Sequence, residues 1–245
     1  MPKQTIQIET ADGVAEASFV TPSGATPKNG VIVYMDAFGV RPALDEIAER
    51  IAADGYAVLV PDLFYRGGRF GPLDAKTAFQ GETTAKFIRE AMATTTQALT
   101  QADTAAFIEA LASRGVTGPI ATTGYCMGGG RALNAAAAHP ARIVAAASFH
   151  GGNLANDAPD SPQKNAGKIK ARVYVGVAGV DRSFPPEQSA KLAEAFRVAE
   201  IDHAIENYVG MAHGWCVSDH NVFDEKGAER HFSRLKTLLA ETFQG

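Results

Sequence analysis

Ile120-Ala121-Thr122-Thr123-Gly124-Tyr125-Cys126-Met127-Gly128-Gly129-Gly130 runs from an apolar, β-branched stretch into a glycine cluster, and a helical pattern follows as far as His139-Pro140. Apolar β-branched runs of this length favour strand. The G-x-C-x-G pattern between strand and helix is that of a nucleophile held on a sharp turn above a sheet edge. Glycines two residues either side of Cys126 let neighbouring backbone approach without a Cβ in the way. The amino terminus of the following helix presents a positive dipole end, which favours the thiolate form. Two blander readings compete: a packing turn with a buried cysteine, and a phosphate-binding glycine turn. The second lacks both the G-x-G-x-x-G spacing and a lysine of the phosphate-loop kind.

Outward from this turn, strand-like and helix-like segments alternate. Upstream, the residues around Ile6 and Ile8 and from Val14 to Val20 alternate about Asp12-Gly13, a hairpin signal. Val31 to Met35 is a continuous apolar run suited to a strand buried on both faces. A helix is predicted over 42–54, opened by Pro42 and closed by Gly55, and Ala57 to Val60 reads as the next strand. The Gly-rich 66–72 segment is a loop, and 74–114 carries helical patches without clear boundaries. Downstream, strands are predicted at 143–149, 172–177 and 204–208, and helices at 129–138, 187–199 and 226–243. This alternation implies a mostly parallel central sheet with helices on both faces, whose ligands bind beyond the carboxyl ends of the strands. No repeat or Pro/Ser-rich linker divides residues 1–245, so one α/β domain is expected.

A nucleophile elbow of the α/β-hydrolase type is followed along the chain by an acid and then a histidine. Asp181 leaves the 172–177 strand in a Gly-containing turn before Pro185-Pro186, and His213 sits between Gly210 and Gly214 after the next strand. Cys126, Asp181 and His213 are therefore the expected triad. The competing reading of Asp181 is a turn-shaping Asx bond. The expected oxyanion donors are the backbone N–H groups of Met127, next after the nucleophile, and of Ala37 in the early strand-to-helix loop. His139, His203, His220 and His231 fall at helix ends or in polar stretches and read as solvated. His150 closes a strand before Gly151-Gly152 and is a candidate for the pocket, with a structural histidine as the commoner case.

The hydrophobic fraction of 46% and charged fraction of 20% are those of a globular chain. A net charge of −4 without any Lys/Arg run excludes an electrostatic footprint for nucleic acid or an anionic membrane, which leaves a small molecule as the expected partner. Two cysteines, Cys126 and Cys216, are too few to staple 245 residues, and both are expected to be reduced. Cys216 lies three residues past His213, but no second ligand pair accompanies it, so neither a metal nor a cofactor is implied. With no apolar leader-like run near Met1 and no long apolar window, the expectation is a cytoplasmic protein, a monomer or at most a weak dimer.

Gly124-Tyr125-Cys126-Met127-Gly128-Gly129, Asp181 followed by Pro185-Pro186, His213-Gly214, and Asp36-Ala37-Phe38-Gly39-Val40 after the early strand together resemble the dienelactone hydrolase family. The likeness runs over nearly the whole chain, and a cysteine in place of serine at the elbow makes it specific. It implies an α/β-hydrolase fold and cleavage of a small ester or lactone. It also implies that an acid ending the early strand, usually Glu and here Asp36, contacts the resting thiol. Family members bind a substrate carboxylate through arginines, one of them shortly after the histidine; this chain has none there, and Arg41, Arg66 and Arg69 are the candidates in its loops. Phe38, Phe64, Tyr65, Phe70 and Trp215 are candidates for an apolar wall. The alternatives are another small carboxylic ester or thioester, and a non-hydrolytic member using Cys126 as a redox-sensing or ligand-binding thiol.

Overall fold

The structure is a computed structural model and describes residues 1–24, 26–68, 71 and 73–243. The chain opens with a hairpin of β1 (Lys3–Thr10) and β2 (Gly13–Val20), whose ends pair Thr10 with Gly13 across a two-residue turn. Ile6, Ile8, Ala15, Ala17 and Phe19 face the core, as the alternation requires. β3 (Gly30–Tyr34), α1 (Pro42–Ala53) and β4 (Ala57–Pro61) follow, then α2 (Glu82–Thr94) and α3 (Gln97–Ala112). Thr96 caps α3 by accepting from the Leu99 N–H at 3.2 Å, which fixes the boundary that the Ala/Thr-rich sequence leaves open. The second half comprises β5 (Ile120–Tyr125), α4 (Met127–Ala138), β6 (Ile143–Phe149), β7 (Arg172–Val180), α5 (Pro186–Val198), β8 (His203–Ala212) and α6 (Glu225–Phe243).

The eight strands form one sheet in the order β1-β2-β4-β3-β5-β6-β7-β8. Pairing is antiparallel for β1/β2 and β2/β4 and parallel from β4 to β8. Helices α3 and α4 cover one face; α1 and α6 cover the other and are joined by the Arg50–Glu229 ion pair at 2.5 Å. Strands β3 to β6 are almost wholly buried, which is why Val31 to Met35 reads as a continuous apolar run rather than an alternating one.

The order of strand addition reverses at β3: β4 adds to one side of β3 and β5 to the other, all three running parallel. This switch point leaves a crevice at the strands' carboxyl ends. Asp36 follows β3, Cys126 β5, His150 β6, Asp181 β7 and His213 β8, so five loops at one sheet edge carry the residues singled out in sequence. Three elements differ from their predicted extents by more than one residue. Helix α4 starts directly after Cys126 rather than at residue 129, β7 runs on to Val180 rather than ending at 177, and β8 runs on to Ala212. The Val180–Ala212 pair beyond a bulge extends β8 past Gly210, whose φ of 77° marks the irregularity.

Candidate active site

Cys126 has φ 54° and ψ −120°, a backbone conformation that costs a non-glycine residue about 1–3 kcal/mol. The turn is held from below. The Cys126 N–H is shared between the Phe149 carbonyl at 3.2 Å and His150 Nδ1 at 3.1 Å. Around it the packing admits only glycine. A Cβ on Gly124 would overlap the Gly128 carbonyl, and one on Gly128 would run into the Tyr34 and Met35 carbonyls at the end of β3. The half-buried Cys126 thiol is thereby projected at the crevice.

Across the crevice, His213 Nδ1 lies 2.7 Å from Asp181 Oδ2. Asp181 has a side chain only 3% exposed, and its other oxygen, Oδ1, accepts the Ser183 backbone N–H at 2.8 Å and the Ser183 hydroxyl at 2.7 Å. Burial alone would raise the Asp181 pKa; the hydrogen bonds from His213 and Ser183 outweigh it and hold the carboxyl below its ordinary range. Burial likewise works against a charged His213, but Asp181 and the Cys126 sulfur push its pKa up to about 10. An ionised Asp181 accepts the Nδ1 proton and so leaves the second ring nitrogen, on the far side from Asp181, for Cys126.

Cys126, Asp181, Ser183 and His213 all line one cleft of about 690 Å3. Ala37 and Met127 line it beside the thiol, and Met127 is the first residue of α4, where a backbone N–H has no partner within the helix. Phe38, Phe79, Met92, Met127, Pro162 and Val222 give the cleft an apolar wall. Arg131, Arg182 and Asp160 are further charged groups along its lining.

Residues 15–243 match the Dienelactone hydrolase family. The chain belongs to that family. Among curated relatives, a protein of Salmonella typhi named "Putative carboxymethylenebutenolidase" is 28% identical over 224 residues, covering 89% of this chain and 78% of its own length. A Synechocystis protein of the same name is 25% identical over 248 residues, with 98% and 94% covered. A solved structure titled "Putative Dienelactone Hydrolase" from Klebsiella pneumoniae superposes with a TM-score of 0.82 at 22% identity, with 98% of each chain covered, and supports the α/β-hydrolase fold. Membership in the dienelactone hydrolase family makes this chain a carboxylic ester hydrolase.

Against the expectations drawn from that family's pattern, several residues sit elsewhere. Asp36 is fully buried and its oxygens accept from the Phe38 N–H, Arg41 and His220; Cys126 is not among its partners, so the expected thiol contact is absent. Arg41 does not border the cleft: it is 3% exposed, with its guanidinium spent on Asp36 and Asp219. Arg66 pairs with Asp103 and Asp12, and the Tyr65 hydroxyl bonds Thr10 and Asp103, so both brace the hairpin against α3. Trp215 is completely buried against Tyr208. Phe64 faces a separate, smaller cavity, while Arg69 and Phe70 lie outside the described residues. Of the candidate substrate contacts, Phe38 lines the cleft.

His150 lies under the site rather than in the cleft. It is 1% exposed, its ring centroid is 4.8 Å from that of His213, and its φ is 39°. Burial, reinforced by the neighbouring histidines 213, 220 and 231, pushes its pKa well below the ordinary value, so the ring is neutral. With Nδ1 accepting from Cys126, the proton is on Nε2, which has no partner among the described residues. His150→Asn keeps an acceptor near the Nδ1 position and tolerates positive φ. His150→Leu does neither. The leucine variant is expected to lose about 1–3 kcal/mol in urea unfolding and the asparagine variant clearly less; equal losses would contradict the clamp.

Sequence reading missed His220, Asp219 and Ser183. His220 reads there as solvated, yet it lines the cleft and bonds the buried Asp36 at 3.1 Å. The fold rather than the sequence reveals its place: a Cβ on Gly214 would overlap His220 Nδ1. His231, read the same way, is fully buried and bonded to the Tyr125 hydroxyl. The Asx reading of Asp181 and its triad reading describe different oxygens of one carboxylate: Oδ1 shapes the turn through Ser183, and Oδ2 meets His213.

Proposed function

We propose that this enzyme cleaves a small ester or lactone by acyl transfer to Cys126, with His213 as base and acid and Asp181 as its orienting partner. The observation that carries the reading is the Asp181–His213 pair at 2.7 Å, opening onto the same cleft as a cysteine in elbow conformation. The whole chain acts as one catalytic domain in this reading.

In the first half-reaction, with the thiol proton already on His213, the sulfur adds to the ester carbonyl carbon. The carbonyl oxygen takes the negative charge between the Ala37 and Met127 N–H groups. As the tetrahedral adduct collapses, the C–O bond breaks and His213 protonates the departing alkoxide, leaving a thioester. In the second, His213 takes a proton from water, the hydroxide adds to the thioester, and the C–S bond breaks to return the thiolate and release the acid. For a lactone, alcohol and acid remain parts of one product. Removing one donor of such a pair raises the barrier by about 2.7–4 kcal/mol. The apolar wall from Phe38 to Val222 suits an ester with an apolar ring or chain.

Hydrolysis of p-nitrophenyl acetate and of a small unsaturated lactone by the enzyme and its Cys126→Ala variant tests the reading. Turnover by the parent that vanishes in the variant is expected. Equal, negligible rates for both substrates would overturn it.

A further inference from the structure

The buried carboxylate of Asp36 is fully occupied without the thiol. Oδ1 accepts the Phe38 N–H at 3.0 Å and Arg41 Nη1 at 2.7 Å; Oδ2 accepts Arg41 Nη2 at 2.9 Å and His220 Nε2 at 3.1 Å. The remaining edge of Arg41 donates to Asp219, from Nε to Oδ2 at 2.6 Å and from Nη2 to Oδ1 at 2.9 Å. Arg41 Nη1 also reaches the Gly39 carbonyl at 3.2 Å, and the Gly39 N–H returns to the Asp36 carbonyl at 3.4 Å. The His220 ring packs edge-on to Phe38 with centroids 5.3 Å apart.

These contacts join two loops distant in sequence. Residues 36–41 follow β3 and contain Ala37; Asp219 and His220 lie in the loop that follows β8 and contains His213. One planar guanidinium bridging two carboxylates fixes their separation and orientation in a way a point charge does not. A buried ion pair adds little net stability over apolar packing. What it supplies is geometry, at the place where the oxyanion donor and the general base must hold station together.

We propose that Asp36 and Arg41, with Asp219 and His220, are positioning residues that lock the Ala37 loop to the His213 loop, and that Asp36 acts on the oxyanion side of the site rather than on the thiol. This rests on the placement of the oxyanion at Ala37. Loosening the brace misaligns a donor needed in the transition state, so kcat falls while KM and thiol reactivity hold.

The test compares Asp36→Asn and Asp219→Asn with the parent in three measurements: p-nitrophenyl acetate kinetics, the rate of Cys126 alkylation by iodoacetamide, and amide hydrogen exchange over 36–41 and 213–224. Asp36→Asn is expected to lower kcat about tenfold or more, with KM within about threefold and alkylation unchanged. Exchange should quicken in both loops. Asp219, whose side chain is 34% exposed, is the milder site, and Asp219→Asn should move every readout the same way by less. Unchanged kcat in a folded Asp36→Asn, or alkylation falling in step with kcat, would overturn the proposal. If Asp36→Asn does not fold, Asp219→Asn decides: quickened exchange in both loops supports the brace, and unchanged exchange overturns it. Absence of ester turnover in the parent would count against the hydrolytic reading alone, because the exchange comparison judges the brace separately.

Discussion

Asp181→Asn is expected to lower kcat about 10³–10⁴-fold while leaving the fold intact. Asparagine keeps the size of the side chain, and its carbonyl can still accept from Ser183, but it carries no charge to orient His213. The pH profile should move as well. In the parent, the interactions with Asp181 and Cys126 hold His213 up at about 10 against the opposing effect of burial. His213 must carry a proton to release the alkoxide, so kcat/KM should fall on the alkaline side as that proton is lost. Removing the carboxylate removes a raising influence, and the alkaline limb should shift to lower pH by about one unit or more. A pH profile of kcat/KM for the two proteins measures both effects. A limb that stays in place would show that Asp181 does not set the protonation of His213.

Gly128→Ala should be among the most destabilising single substitutions in the chain. Its Cβ would overlap the Tyr34 carbonyl and stand 2.6 Å from the Met35 carbonyl, both on backbone of the buried β3 end. Backbone at the centre of a parallel sheet has nowhere to move without disturbing its pairing with β5, so the expected loss is about 3 kcal/mol or more. Gly39→Ala is the useful contrast: among the described residues beyond its chain neighbours no atom lies within 4 Å of its Cβ position, leaving the strain of φ 81°. Urea unfolding of the two variants checks the order. Similar losses would mean that the elbow relaxes more readily than its contacts suggest.

The elbow was legible in the sequence because its physics is local. A strand, a tight turn and a helix need glycines at fixed offsets, and Gly124 and Gly128 meet backbone oxygens at the distances that forbid any other residue. The order of Cys126, Asp181 and His213 was legible because each follows a strand, and parallel strands deliver their ends to one edge. The loop arginines were not legible. Arg41 and Asp219 are 178 positions apart, and nothing near Arg41 in sequence shows that its guanidinium is already taken. The same holds for Arg66, whose partner Asp103 lies on the next long helix but one. His220 was hidden for a related reason: in a polar stretch such as Ser218-Asp219-His220-Asn221 a histidine reads as solvated, and only the fold brings Asp36 beneath it. Conversely, Trp215 looked like a wall of the pocket because it is two residues from His213, whereas the turn after β8 sends it into the core.

The central claim, acyl transfer through Cys126, is tested most directly by trapping the intermediate. Enzyme mixed with p-nitrophenyl acetate, quenched in acid during the first turnover and digested, should show one acetyl group on the peptide carrying Cys126. That label should be removed by hydroxylamine, as a thioester is, and be missing from Cys126→Ala. Nitrophenol released by the parent with the acetyl group on another residue, or on none while turnover persists in Cys126→Ala, would contradict the account.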